Sequence, residues 1–168
     1  MAERSEGMPQ NHDFDLGSFL PYMLNQAAEA TSRSFHAIYH DRYGMTRTQW
    51  RVMANLGKFG AMTARDICAL SHIEKTKVSR AVAALEAGGH LLRKPGEQDR
   101  RTEILSLTEA GRQVYHDLGQ HAIAHDRTLR ASLGPDLTRQ LDAALVRLTA
   151  SGTDATPTET PAEARRHP

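Results

Sequence analysis

The chain has 168 residues, a formal net charge of +1 and 24% charged residues, enough for one domain with a core or two small lobes sharing one. Its 39% apolar share and mean hydropathy of −0.54 are low, and no apolar run approaches the ~18 residues of a membrane span. The single cysteine, Cys68, excludes an intrachain disulfide and a cysteine-rich zinc module, and the opening MAERSEGMPQNHD lacks the apolar centre of a signal peptide. A cytoplasmic protein without metal or cofactor is the expectation.

Residues 1–15 are polar, include Pro9 and read as a flexible arm. From about Leu16 the period changes. Leu20, Leu24, Ala27, Thr31, Phe35 and Ile38 keep the 3-and-4 spacing of a long amphipathic helix. Pro21 is tolerated in its first turn, and Gly44 ends it. Such a helix is too long for a small lobe to cover, so part of it is expected to face another subunit.

Thr46-Arg-Thr-Gln49 has the form of a capping box and opens a helix through Trp50, Val52, Met53, Leu56 and Phe59, with Gly57 and Gly60 bracketing its end. Thr63-Ala-Arg-Asp66 repeats the signal with Asp for Glu and opens a short helix with Ile67 and Leu70. After the joint Ser71-His72-Ile73, Val78, Val82 and Leu85 fall at i, i+4 and i+7 on one face of a second short helix. Its far side carries Thr76, Arg80, Ala83 and Ala87, with no large apolar residue. Gly88-Gly89 stops it. An extended His90–Lys94, Pro95-Gly96, a polar loop and a second extended run Thr102–Leu107 make a two-stranded ribbon. Two short helices joined by a tight turn form a helix-turn-helix, and the ribbon makes it winged.

Thr108 is placed as an N-cap. Val114, Leu118, Ala122, His125, Leu129 and Leu133 trace one face over several turns, Gly134-Pro135 breaks the chain, and Leu137, Leu141, Leu145 and Leu148 form another stripe. The Pro/Thr/Glu-rich segment 151–168 reads as a disordered tail. The fold expected is mainly α with a small β-wing. A winged helix-turn-helix lobe over 46–107 lies within a compact unit at 16–150. The helices at 16–44 and 108–150 form a dimerisation region. Their surplus apolar stripe is most economically covered in a symmetric homodimer.

Global charge is uninformative about partners, but local charge is not. Lys75, Lys77, Arg80, Arg93, Lys94, Arg100 and Arg101 outnumber Glu74, Glu86, Glu97 and Asp99 between Ser71 and Leu107. A polar-faced helix beside a basic ribbon is shaped for a nucleic-acid groove. Arg80 can pair bidentately with a guanine edge, Thr76 and Ser79 can serve bases or phosphates, and small Ala83 permits close approach. Lys75 and Lys77 flank that face as phosphate contacts.

From Thr46 to Gly111 the sequence resembles the MarR family of bacterial transcriptional regulators. The resemblance is carried by Thr46-x-x-Gln49 with Trp50-Arg51-Val52-Met53 and Leu56, by Thr63-x-x-Asp66-Ile67, and by Thr76-Lys-Val-Ser-Arg80 with Leu85-Glu86-x-x-Gly89. Its strongest piece is Asp99-Arg-Arg101, followed by Ser106-Leu-Thr108-x-x-Gly111. It implies a homodimer binding a pseudo-palindromic operator in double-stranded DNA. It further implies a repressor relieved by a small ligand such as an aromatic acid or its CoA thioester. At the wing it implies that Arg101 enters the minor groove, that Asp99 sets the direction of the guanidinium, and that Arg100 touches a phosphate.

The same resemblance places an effector pocket where the first, second and fifth helices meet the DNA lobe. Arg33 or Arg51 can pair a carboxylate there, and His36 or Tyr39 can hydrogen-bond a phenol or carbonyl. Trp50 can line that pocket or anchor the core. A redox-responsive regulator (through Cys68), a metal-responsive one (through His121 and His125 at i, i+4) and an activator are the alternatives. Cys68 is expected to be a buried packing residue. No Gly-rich phosphate loop, zinc-protease motif or nucleophile elbow argues for an enzyme.

Overall fold

The computed structural model describes residues 14–96, 99 and 101–151. The arm at 1–13, Arg100 and the tail from 152 onward lie outside the described residues, and so do the expectations attached to them. The chain divides into two units, Met1–His121 and Ala122–Pro168.

In the first unit the long helix begins at Leu20, the first residue of its apolar spacing, and a short turn precedes it. Leu16–Ser18 form a 3-10 turn, with the Asp15 carboxylate accepting the Gly17 N–H at 2.9 Å. Helix α1 then runs Leu20–Tyr43, with Pro in its first turn and Gly44 closing it at φ 62°. Helix α2, Arg47–Phe59, begins at the expected capping box, in which Thr46 and Gln49 each bond the other's backbone. A second reciprocal box, Thr63 with Asp66, opens α3 at Ala64–Ser71. Recognition-helix candidate α4 spans Lys75–Ala87.

The ribbon is part of a larger sheet than expected. Strand β1 (Met62–Thr63) pairs antiparallel with β3 (Glu103–Leu107), and β3 pairs with β2 (Leu91–Pro95), giving the order β1-β3-β2. Two residues cannot display an alternating period, and Thr63 is also an N-cap, so the third strand left no mark in the sequence. In register, Leu91 faces Leu107, Arg93 faces Leu105, and Met62 faces Leu105 on the other side.

The core of the lobe joins Val52, Met53 and Leu56 of α2 to Ile67 of α3, Val78, Val82 and Leu85 of α4, and Leu91, Leu105 and Leu107 of the sheet. Phe59 and Leu70, placed on apolar faces by spacing, are instead 53% exposed each. Both are terminal or near-terminal helix residues, where the buried stripe has run past the edge of the core. Helix α5 (Glu109–Leu133) contributes Val114 and Leu118.

In the second unit, α6 spans Pro135–Ser151 and buries no side chain among the described residues. Arg130 bridges Asp126 and Asp142 at 2.8 Å each, tying the end of α5 to α6. No helix among the described residues is long and apolar enough to cross a membrane.

Candidate nucleic-acid interface

Helix α4 is held from beneath and left bare above. Val78, Ala81, Val82 and Leu85 are buried, while Lys75, Thr76, Lys77, Ser79, Arg80 and Ala83 are all exposed. The turn before it uses His72 in the left-handed region, φ 50°, and Glu74 leads into α4 without any side-chain cap. The first N–H groups of α4 are therefore open to a ligand. Lys77 pairs with Glu74 at 3.2 Å on the surface, and the Arg80 guanidinium makes no hydrogen bond or ion pair among the described residues.

That freedom is informative, because other arginines nearby are engaged. Arg93 donates to Glu86 of α4 at 2.8 Å and to Glu103 of β3 at 2.9 Å, and the two carboxylates raise its pKa, the Glu103 hydrogen bond first. It clamps the wing to α4 and belongs to the scaffold, which removes it from the basic surface counted in the sequence. Arg112 is likewise bound to Glu109 and to the Leu107 carbonyl.

At the wing tip the arrangement differs from the one implied by resemblance. The Asp99 carboxylate accepts the backbone N–H of Arg101 at 2.9 Å and the Thr102 hydroxyl at 3.1 Å. Its own carbonyl accepts the Thr102 N–H at 3.0 Å. No ion pair joins Asp99 to the Arg101 guanidinium. Asp99 thus fixes the backbone from which Arg101 projects, an Asx-type turn, and leaves the guanidinium exposed and without an ion pair among the described residues. Gly96 closes the loop, its N–H donating to Thr102 at 2.7 Å.

The base of the wing is a close backbone approach. A Cβ on Gly111 would sit 2.0 Å from the His90 carbonyl oxygen. Thr108 knits the same junction: its N–H donates to that oxygen at 3.1 Å, its hydroxyl donates to Gly89 at 2.7 Å and accepts from Gly111 N–H at 3.0 Å.

The residues expected at an effector pocket are dispersed. Tyr39, 1% exposed, meets Phe35 edge-on at 5.6 Å and stacks with half-buried Trp50 at 6.4 Å. Burial raises the Tyr39 pKa. His36 is exposed, set edge-on to Tyr39 at 5.2 Å and stacked on His40 at 5.1 Å. Arg33 is exposed. Arg51 is engaged elsewhere: its guanidinium donates to the Ser71 carbonyl at 2.5 Å, at the end of α3. Burial, then the neighbouring Arg47, lowers the Arg51 pKa. One helical turn of α2 thus touches both α1, through Trp50, and the helix-turn-helix joint, through Arg51.

Cys68 is half-buried and not the fully buried residue expected. Next to Ile67, it lies 100° around α3 from the buried face. His121 lies 3.9 Å from Asp117, and no group of three metal-ligating side chains is present among the described residues. Asp117 is the hub that ties α1 to α5, accepting from the Tyr43 hydroxyl at 2.9 Å and from Arg42 at 3.1 and 3.2 Å.

Arg65 adds a cation that the sequence pattern alone did not single out. It is exposed on α3, the first helix of the pair, without hydrogen bond or ion pair among the described residues. Its signal was visible, since the first helix of a helix-turn-helix crosses the DNA backbone, but Thr63-x-x-Asp66 was read only as a cap.

Residues 43–102 match the MarR family model. The HTH-type transcriptional regulator YwoH of Bacillus subtilis is 26% identical over 112 residues, 67% of this chain and 80% of that one. The homoprotocatechuate degradative operon repressor of Escherichia coli is 29% identical over 97 residues, 58% of this chain and 65% of that one. A solved MarR family transcriptional regulator from Silicibacter pomeroyi DSS-3 superposes with a TM-score of 0.70 at 29% identity, covering 84% of this chain and all of that one (100%). With its exposed polar face on α4 and its built wing, the chain carries a winged helix-turn-helix lobe similar to those of MarR family transcriptional regulators.

Proposed function

We propose that this chain acts in the cytoplasm as a homodimeric repressor of a pseudo-palindromic operator, relieved by a small aromatic acid or its CoA thioester. The observation that carries the reading is a pair of exposed arginines without ion pairs among the described residues, Arg80 on α4 and Arg101 on a wing whose backbone is fixed by Asp99. Arg80, with Thr76 and Ser79, reads base edges in the major groove, and Arg101 occupies the adjacent minor groove. Lys75, Lys77 and Arg65 contact phosphates and set position.

Dimerisation is supported by apolar residues that a monomer leaves in water. On α1 these are Leu20 and Met23, 51% and 50% exposed; on α6 they are Leu137 and Leu141, 50% and 40% exposed. Large apolar side chains left exposed on helices are candidates for burial against a second copy. Two copies place two recognition helices about one DNA turn apart, ~34–36 Å. The effector class is supported by the Phe35, Tyr39 and Trp50 cluster beside His36, and by the degradative operon named in one relative. A ligand relieves repression only by favouring a recognition-helix spacing that does not match the operator.

The test is selection of bound duplexes from a random pool, with scattering mass measured in parallel. An inverted-repeat consensus bound by a species of twice the 18.6 kDa chain mass, and released by an aromatic acid or its thioester, is the expected result. Recovery of no consensus sequence overturns the reading.

A further inference from the structure

Between the start of α2 and the outer side of α4 lies a groove of about 310 Å³. Thr46, Thr48 and Gln49 form one wall, Lys77 and Arg80 the other, and Ala84 contributes to its apolar lining. No acidic side chain lines it. Gln49 Oε1 is committed to the Thr46 N–H at 2.6 Å, and Thr46 Oγ1 accepts the Gln49 N–H at 3.3 Å. That leaves Gln49 its amide NH2, a donor without a partner among the described residues. The Thr48 hydroxyl and the Arg80 guanidinium have none either. Lys77 holds only an exposed surface pair with Glu74, which costs little to exchange. The groove therefore offers two cations, an amide NH2 and a hydroxyl that can donate, and no carboxylate lines it, a set that suits an anion.

We propose that this groove holds a phosphate of the DNA backbone, making Thr48 and Gln49 DNA-contacting residues beside the recognition helix. The assignment rests on the reading that α4 enters the major groove. Lys77 and Arg80 belong at once to the exposed face of α4 and to the groove wall, so a duplex engaged by that face brings its flanking phosphates to α2. An open groove of this kind follows a strand better than it encloses a small free anion. The contacts carry no sequence information and fix the depth and angle at which α4 sits.

The experiment uses the full chain and a duplex that the parent protein binds. Thr48→Val keeps the shape and deletes the donor. It is expected to weaken operator and random duplex alike, about 3- to 10-fold, while leaving the salt dependence unchanged, since no charge is lost. Lys77→Ala is expected to lower the log–log salt slope by about 0.9. Thr48→Glu is expected to weaken binding by about 100-fold or more. A glutamate in the first turn suits the helix dipole, so that loss does not reflect unfolding. Neutralising single phosphates as methylphosphonates locates the contact: one position must weaken the parent and leave Thr48→Val indifferent. If the parent binds and Thr48→Val and Thr48→Glu bind as it does, the groove assignment fails while the regulator reading stands. If inorganic phosphate saturates the groove and Thr48→Glu abolishes that binding without touching duplex affinity, the occupant is a free anion and the proposal is overturned. If the parent binds no duplex at all, the underlying reading fails first.

Discussion

Gly111→Ala isolates the junction that holds the wing. The added Cβ would lie 2.0 Å from the His90 carbonyl oxygen, 2.9 Å from its carbon and 3.3 Å from its Cα. Ordinary non-bonded contact requires roughly 3.5 Å, so α5 and the start of β2 must separate by more than ~1 Å. The obstacle is backbone, which cannot rotate away as a side chain can. Moving it also stretches the Thr108 bonds to His90 and Gly89, at 3.1 and 2.7 Å. Overpacking usually costs about 1–3 kcal/mol, and a loss near 3 kcal/mol is expected here. Helical Gly→Ala otherwise gains about 0.5–1 kcal/mol. Gly119, on the same helix, meets nothing within 4 Å, so Gly119→Ala supplies the matched control with the opposite sign. Urea unfolding of both variants at one fixed protein concentration measures the difference, the fixed concentration being needed for a protein that associates. Equal stability of the two variants would refute the close approach, and with it the reason Gly111 is glycine.

Other perturbations bear on the interface and its supports. Arg80→Ala should cost ~1–3 kcal/mol in operator affinity and relax preference at particular base pairs, read by competition among single-base operator variants. Arg101→Ala should weaken operator binding and shift preference away from sites with a narrow A/T minor groove, measured on operators whose flanks differ only in A/T content. Arg51→Ala strips the donor from the Ser71 carbonyl; a loss of about 1–3 kcal/mol is expected in thermal or urea unfolding. The Tyr43 hydroxyl, then Arg42, hold the Asp117 carboxyl below its ordinary 3.8. A depressed folded-state pKa adds stability above the unfolded value that is lost as pH falls through the folded one. Asp117→Asn should therefore flatten the acid limb from about pH 5 downward, and an unchanged limb in a pH series of unfolding curves would remove Asp117 from the account.

The parts of the fold that were legible in the sequence are those governed by local chemistry. Both capping boxes form as written because Thr46 and Thr63 need only a residue three positions on to complete them. The α4 face pattern is readable because Val78, Val82 and Leu85 obey one period. What escaped notice depends on distant partners. Strand β1 exists because β3 offers it an edge, which no property of Met62-Thr63 announces. Whether an arginine is free or engaged is equally non-local. Arg93 and Arg80 look alike in the chain, yet Glu86 and Glu103 occupy the first and no carboxylate among the described residues pairs with the second. Asp99 was read as a partner for a side chain; two residues away along a tight turn, it finds the Arg101 backbone first. Arg51 looked like a ligand anchor and proves to brace the joint before α4. The effector contacts were least legible, since aromatic residues on α1 and α2 that pack against one another carry the same sequence signal as residues lining a pocket.

Hydroxyl-radical footprinting of the selected operator tests the central claim most directly, because it maps where the lobe touches both strands. Two protected patches centred one helical turn apart, ~34–36 Å, each flanked by minor-groove protection that disappears in Arg101→Ala, are the predicted result. A single patch, or flanks unchanged by Arg101→Ala, would contradict a dimer reading DNA through α4 and the wing.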